Sequence, residues 1–109
     1  MTLLETDPDV LRQHFDWAAW EATVRACGVT IERPYRSAHP AFPEIRYPLD
    51  YGYVNHTLGT DGHEVDLFIG SAAAGLVGFL LTTDHRRGDR EAKLLYRCTA
   101  EEIYLANGF

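Results

Sequence analysis

The chain has 109 residues, of which 46% are apolar and 24% charged. That length and balance suit one globular domain able to bury a modest core without disulfide or metal staples. Its formal net charge of -6 and a pI near 5.2 leave no basic footprint for a polyanion. Nucleic acid and anionic membrane surfaces are therefore set aside as partners.

The N-terminal 28 residues read as one helix. Asp7 can cap it, Pro8 suits its first turn, and Gly28 supplies the stop. Val10, Trp17, Trp20, Val24 and Cys27 recur at helical spacing, widened by Leu11, Phe15 and Ala18. If the Trp17 and Trp20 face packs inward the protein can be a monomer; if it stays partly open, a homo-oligomer is expected. Val29 to Arg33 reads as a strand ended by Pro34. The stretch from Pro34 to Pro48, with four prolines, reads as an ordered loop.

Leu49 to Asn55 is a Tyr-rich strand, and Gly59 to Gly62 a turn. Glu64 to Gly70 alternates, with Val65, Leu67 and Ile69 on one face and Asp66 and Phe68 on the other. Gly75 to Thr83 reads as an apolar strand, and Asp84 to Asp89 as a polar hairpin loop. Glu91 to Cys98 is a last strand, with Ala92, Leu94, Tyr96 and Cys98 on one face. Thr99 and Glu102 form a capping box for a short helix stopped at Asn107-Gly108. The expected architecture is mainly β (α+β): N-terminal helix (1–28), five strands closing or nearly closing into a small barrel (29–98), and a C-terminal helix (99–109). Cys27 and Cys98 read as small core residues, with no disulfide framework. No signal peptide or bilayer-spanning run is visible, so a cytoplasmic setting is the expectation.

Acidic residues gather at two turns: Asp61, Glu64 and Asp66 at the first, Asp84, Asp89 and Glu91 at the second. Like carboxylates held close repel unless a cation sits between them, and oxygen-only ligands suit Mg²⁺, Mn²⁺ or Ca²⁺. A solvated acidic turn is the plain alternative. Asp66 weighs against it, because a carboxylate inside an alternating strand needs a partner or an ion. Lys93, near Glu91, offers a cation for phosphate oxygens. His39, His56 and His85 read as loop histidines, and Arg86-Arg87 as a hairpin tip.

The stretch Tyr47-Pro48-Leu49-Asp50-Tyr51-Gly52-Tyr53, then Asn55-His56-Thr57-Leu58 and Asp61-Gly62-His63-Glu64-Val65-Asp66, closely resembles the family I soluble inorganic pyrophosphatases. Ile31-Glu32-Arg33-Pro34 is similar to the family's Ile-Glu-x-Pro strand end. Thr83-Asp84 with Glu91-Ala92-Lys93 is similar to its later acidic element. The resemblance covers about residues 29 to 97 and implies an OB-like five-stranded barrel. It implies hydrolysis of pyrophosphate with Mg²⁺ (or Mn²⁺) as cofactor. Asp61, Asp66 and Glu91 would hold the metal, with Asp84 nearby and Glu32 farther out. Tyr51 and Lys93 would contact phosphate, and Tyr47 would support the site.

His63 stands where the family has a water-activating carboxylate, and Glu64 where it has proline. His63 is then a candidate base, and Glu64 a candidate substitute carboxylate. The hairpin before Tyr47 is short, leaving Arg33, Arg36, His39 and Arg46 as candidate phosphate ligands. The chain also ends before the family's C-terminal Tyr-Lys pair. These departures predict weak or altered pyrophosphatase activity. The alternatives are a hydrolase of another small phosphoanhydride or phosphoester, and a catalytically weakened metal- or phosphate-binding or assembly protein.

Overall fold

In the computed structural model, residues 4–60, 62–84 and 88–109 are described, apart from the side chains of Asp84 and Asp89. Two helices come first, α1 (Pro8–Gln13) and α2 (Trp17–Cys27). Five strands follow: β1 (Val29–Arg33), β2 (Asp50–Val54), β3 (Asp66–Ile69), β4 (Leu76–Asp84) and β5 (Asp89–Tyr96). Helix α3 (Ala100–Gly108) ends the order.

The single N-terminal helix expected from periodicity is broken. His14 takes an extended conformation, and the Asp16 side chain accepts from the Ala19 N–H to start α2 afresh. A short acidic residue that satisfies orphan N–H groups offers the backbone an alternative to continuing the helix. The break lets Phe15 turn in, with its ring 4.5 Å from that of Phe79 and parallel to Trp20 at 6.4 Å. Trp20 and Val24 are buried, whereas Trp17 is 49% exposed. The tryptophan stripe therefore divides between core and rim. The C-terminal capping box forms as expected: Thr99 accepts from the Glu102 N–H, and Glu102 accepts from the Thr99 N–H.

The strands form one mixed sheet in the order β1-β2-β3-β5-β4. All pairings are antiparallel except β3 with β5. The mainly β architecture with five strands and flanking helices is thus as expected, but the barrel is not closed. β1 and β4 are the outer strands and do not pair. β1 has five residues and a register break between Ile31 and Arg33, which leaves it a poor ladder on which to close.

The sheet separates two apolar layers. Trp20, Val24, Val54, Val65, Leu67 and Leu94 fill one; Leu49, Phe68, Leu95, Cys98 and Ala106 fill the other. The alternation of β3 is borne out, since Leu67 and Phe68 fall in opposite layers. Cys98 does not stay on the Leu94 face. Arg97 adopts φ 56, which ends the strand alternation and turns Cys98 into the Leu95 layer. Cys98 is buried and Cys27 half-buried, and both are free thiols. No described helix is long and apolar enough to cross a membrane.

Gly52 is required by the close approach of β1. A Cβ there would lie 1.9 Å from the Thr30 carbonyl oxygen and 2.9 Å from the Ile31 Cα. Backbone cannot yield as a side chain does. Gly52→Ala is expected to cost about 3 kcal/mol and lower Tm by at least ~10 °C. Thermal unfolding followed by circular dichroism reads this directly; an unchanged Tm contradicts the packing.

Candidate functional site

β2, β3 and β5 lie side by side and together carry four polar side chains to the same place. Tyr51 stands opposite Phe68 in the β2–β3 register, two residues along from Asp66 and on the same face. Glu91 and Lys93 project two residues apart from β5. The Lys93 ammonium donates to the Tyr51 hydroxyl at 2.5 Å, and that hydroxyl donates to Asp66 Oδ2 at 2.7 Å. Lys93 Nζ also reaches Asp66 Oδ2 at 3.3 Å and Glu91 Oε1 at 2.8 Å. It lies 4.9 Å from the Tyr51 ring centroid. One ammonium and one phenol therefore tie together two carboxylates from adjacent strands.

Burial pushes the Tyr51 phenol well above its usual value of 10.0, outweighing the opposing pull of Lys93. Tyr51 is a hydrogen-bond donor at neutral pH, not a base. Burial works against the Lys93 charge, but tyrosinate, Glu91 and Asp66 more than offset it, so its pKa rises above 10.5. At neutral pH, with Tyr51 un-ionised, the carboxylates of Glu91 and Asp66 are what hold the ammonium.

These two shifts have the same sign. Above the unfolded values of 10.0 and 10.5 the unfolded chain gives up both protons while the folded chain keeps them. Their stabilisation is complete below about pH 10 and falls as pH rises, by up to ~1.4 kcal/mol per pH unit for each retained proton. The Cys98 thiol, pushed up to about 11 mainly by burial, adds a loss of the same sense. Tyr51→Phe is expected to flatten the alkaline slope of stability by at least one proton. Urea midpoints measured from neutral to alkaline pH test this; parallel curves for the two proteins contradict it.

An aromatic wall backs Tyr51. Tyr47, buried, lies 5.4 Å from the Tyr51 ring, and Phe68 lies 4.9 Å from it. Tyr47 in turn meets Phe109 at 4.7 Å and stacks on His39 at 5.9 Å. The Pro-rich loop that delivers Tyr47 is ordered by its own backbone bonds. Arg36 N–H donates to Tyr47 O, Tyr47 N–H to Ser37 O, and Ala38 bridges Arg46.

Asp66, Glu91, Tyr51 and Lys93 are thus brought together, with Tyr47 behind them. Glu64 is exposed, and shares a narrow cleft with Asp66 and Glu91. His63 is exposed on the turn whose backbone is closed by the Gly59 N–H donating to the His63 carbonyl. Arg33 lies opposite Tyr51 in the β1–β2 register and is half-buried. Glu32 is exposed at the β1 irregularity, with β2 between it and the Asp66 strand. Arg46 is exposed and donates to the Arg36 carbonyl. Asp61 and the Asp84 side chain lie outside the described residues, as do His85, Arg86 and Arg87. Among the described residues no three His, Cys, Asp or Glu side chains come close enough to hold a metal ion. Phe109 and the stacking of His39 escaped the sequence reading; a lone Phe after a helix stop carries no local signal of where it lands.

A 28-residue stretch of the chain is 54% identical to the inorganic pyrophosphatase of Corynebacterium glutamicum. That stretch is 26% of this chain and spans 18% of the length of the Corynebacterium protein. No family model matches the chain, and no solved structure matches it. The likeness supports a pyrophosphatase-like relationship over that stretch.

Proposed function

We propose that this protein is a metal-dependent hydrolase of a small phosphoanhydride, with inorganic pyrophosphate as the first substrate to test. The observation that carries the reading is the Lys93–Tyr51–Asp66–Glu91 cluster: two donors and two carboxylates meeting at one point. The short likeness to a pyrophosphatase supports the same chemistry.

The donor chemistry fits Mg²⁺ or Mn²⁺. Asp66 and Glu91 present oxygen only, and Mg²⁺ is commonly held by one or two carboxylates while keeping several waters. Asp66 and Glu91 would hold the cation, with Asp61, Asp84 and Glu32 as further candidates. Bound there, it supplies neutralisation of phosphate oxygens and activation of water. The rest of the work falls to the chain. Lys93 keeps its charge and donates to a phosphoryl oxygen. Tyr51, neutral, donates a second hydrogen bond, and Arg33 on the neighbouring strand adds positive charge. Donors fixed in advance stabilise charge that grows as the P–O bond breaks. The imidazole of His63 takes the proton of the attacking water, with Glu64 as the other candidate base. Water adds to one phosphorus, the bridging oxygen leaves with the other, and two phosphates result.

Lys93 already bonding both carboxylates favours a second reading, a phosphate-binding protein without turnover. Phosphate release from pyrophosphate and from other small phosphoanhydrides and phosphoesters, with Mg²⁺ and with Mn²⁺, separates the two. For a hydrolase, the expected result is metal-dependent release that Asp66→Ala abolishes and His63→Asp raises. His63→Ala lowers it if the imidazole is the base. Phosphate binding without release on any substrate favours the second reading.

A further inference from the structure

The two edges of the sheet are built differently. β1 is short, irregular and charged at Glu32 and Arg33, devices that blunt an edge against further pairing. β4 has nine residues, and from Leu76 to Thr83 it holds no charge and no proline. Among the described residues only its start is sealed: the Leu76 N–H donates to Glu21 Oε2 of helix α2 at 2.7 Å. Beyond that point the strand has β5 on one side and no strand on the other among the described residues. It contributes to both apolar layers, Phe79 to one and Val77 and Leu80 to the other. Yet every side chain from Val77 to Thr82 stays only half-buried. The strand's one register break against β5, between Leu76 and Gly78, lies at that start, and the uncharged apolar edge that follows is a template for one more strand.

We propose that two copies of this chain pair antiparallel through residues 78–82 of β4, joining their sheets into one. A second copy fits because the open window is its own complement. It is centred on Leu80, so a two-fold axis there sets Gly78 opposite Thr82, Phe79 opposite Leu81, and Leu80 against itself, with Val77, at the register break, and Thr83 flanking the pairing. No charge meets a charge, and both apolar layers continue across the junction. The chain carries a net charge of -6, which opposes contact between copies across charged surface. The β4 edge is a charge-free strip along which that repulsion is least. The contact therefore falls on β4 rather than on the tryptophan stripe, whose Trp20 is buried within its own chain. This pairing stands apart from the hydrolytic reading of the site.

Sedimentation of the full chain at micromolar concentration tests the pairing. The wild type should sediment at twice the single-chain mass of 12.3 kDa. Leu81→Lys, whose side chain belongs to neither core layer, should shift it to the single-chain mass with circular dichroism unchanged. If Leu81→Lys fails to fold, Thr83→Glu decides in its place; Thr83 is exposed and lies opposite Arg90, which can accommodate the new carboxylate. A wild type at single-chain mass overturns the pairing. So does a double mass that persists in the folded variant.

Discussion

Lys93→Met is expected to lower phosphate release by at least ~10²-fold, the effect typical of removing one fixed donor from a developing oxyanion. The side chain is 17% exposed and bonds Tyr51, Asp66 and Glu91 at once. Methionine keeps its length and apolar stem but neither the charge nor the donors. The same change removes the cation from between two carboxylates. Losing one partner of a fully buried pair costs roughly 3–5 kcal/mol. Asp66 and Glu91 are 25% and 31% exposed, so solvent screens part of the loss. A cost of about 1–2 kcal/mol follows. Lys93→Arg keeps the charge but not the compact point donor, and should recover stability better than activity. Initial rates and urea midpoints on the three proteins separate the two effects; an unchanged rate in Lys93→Met removes this residue from the chemistry.

Trp20→Ala should be the most damaging substitution for stability. Trp20 is 2% exposed and joins α2 to Val54, Val65, Leu67 and Leu94 of the sheet. Truncating a buried tryptophan costs about 3–5 kcal/mol, a large share of the roughly 5–15 kcal/mol that holds a small domain together. Trp17 lies only three residues away on the same helix but is 49% exposed, with its ring edge-on to Phe15. Trp17→Ala should cost under about 1 kcal/mol. Denaturant unfolding of the two variants reads the contrast, and equal losses would contradict the division of the stripe between core and rim.

Local pattern carried much of the fold. Alternation of apolar residues in β3 placed Asp66 on the Phe68 face, where Tyr51 meets it. The Thr99–Glu102 spacing announced the capping box. What pattern could not show has physical causes. The apolar stripe runs unbroken across Phe15, so the competing cap at Asp16 was hidden beneath a helical period. The φ of 56 at Arg97 reverses one side chain without any glycine to mark it. Strand order, the parallel neighbouring of β3 and β5 and the open edges depend on contacts far apart in sequence. At the site, the acidic residues and Lys93 were legible as chemistry, because a carboxylate inside a strand demands a partner. That the partner is Lys93 itself, through Tyr51, depends on the β2, β3 and β5 registers and so was not legible.

The most direct measurement is ³¹P NMR of inorganic pyrophosphate mixed with the wild-type chain and with Asp66→Ala, each with Mg²⁺ and with the metal chelated. The pyrophosphate signal is expected to convert to orthophosphate with the wild type and Mg²⁺, and to persist in the other three samples. A signal that persists with the wild type and Mg²⁺, or one that converts equally with Asp66→Ala, would contradict it.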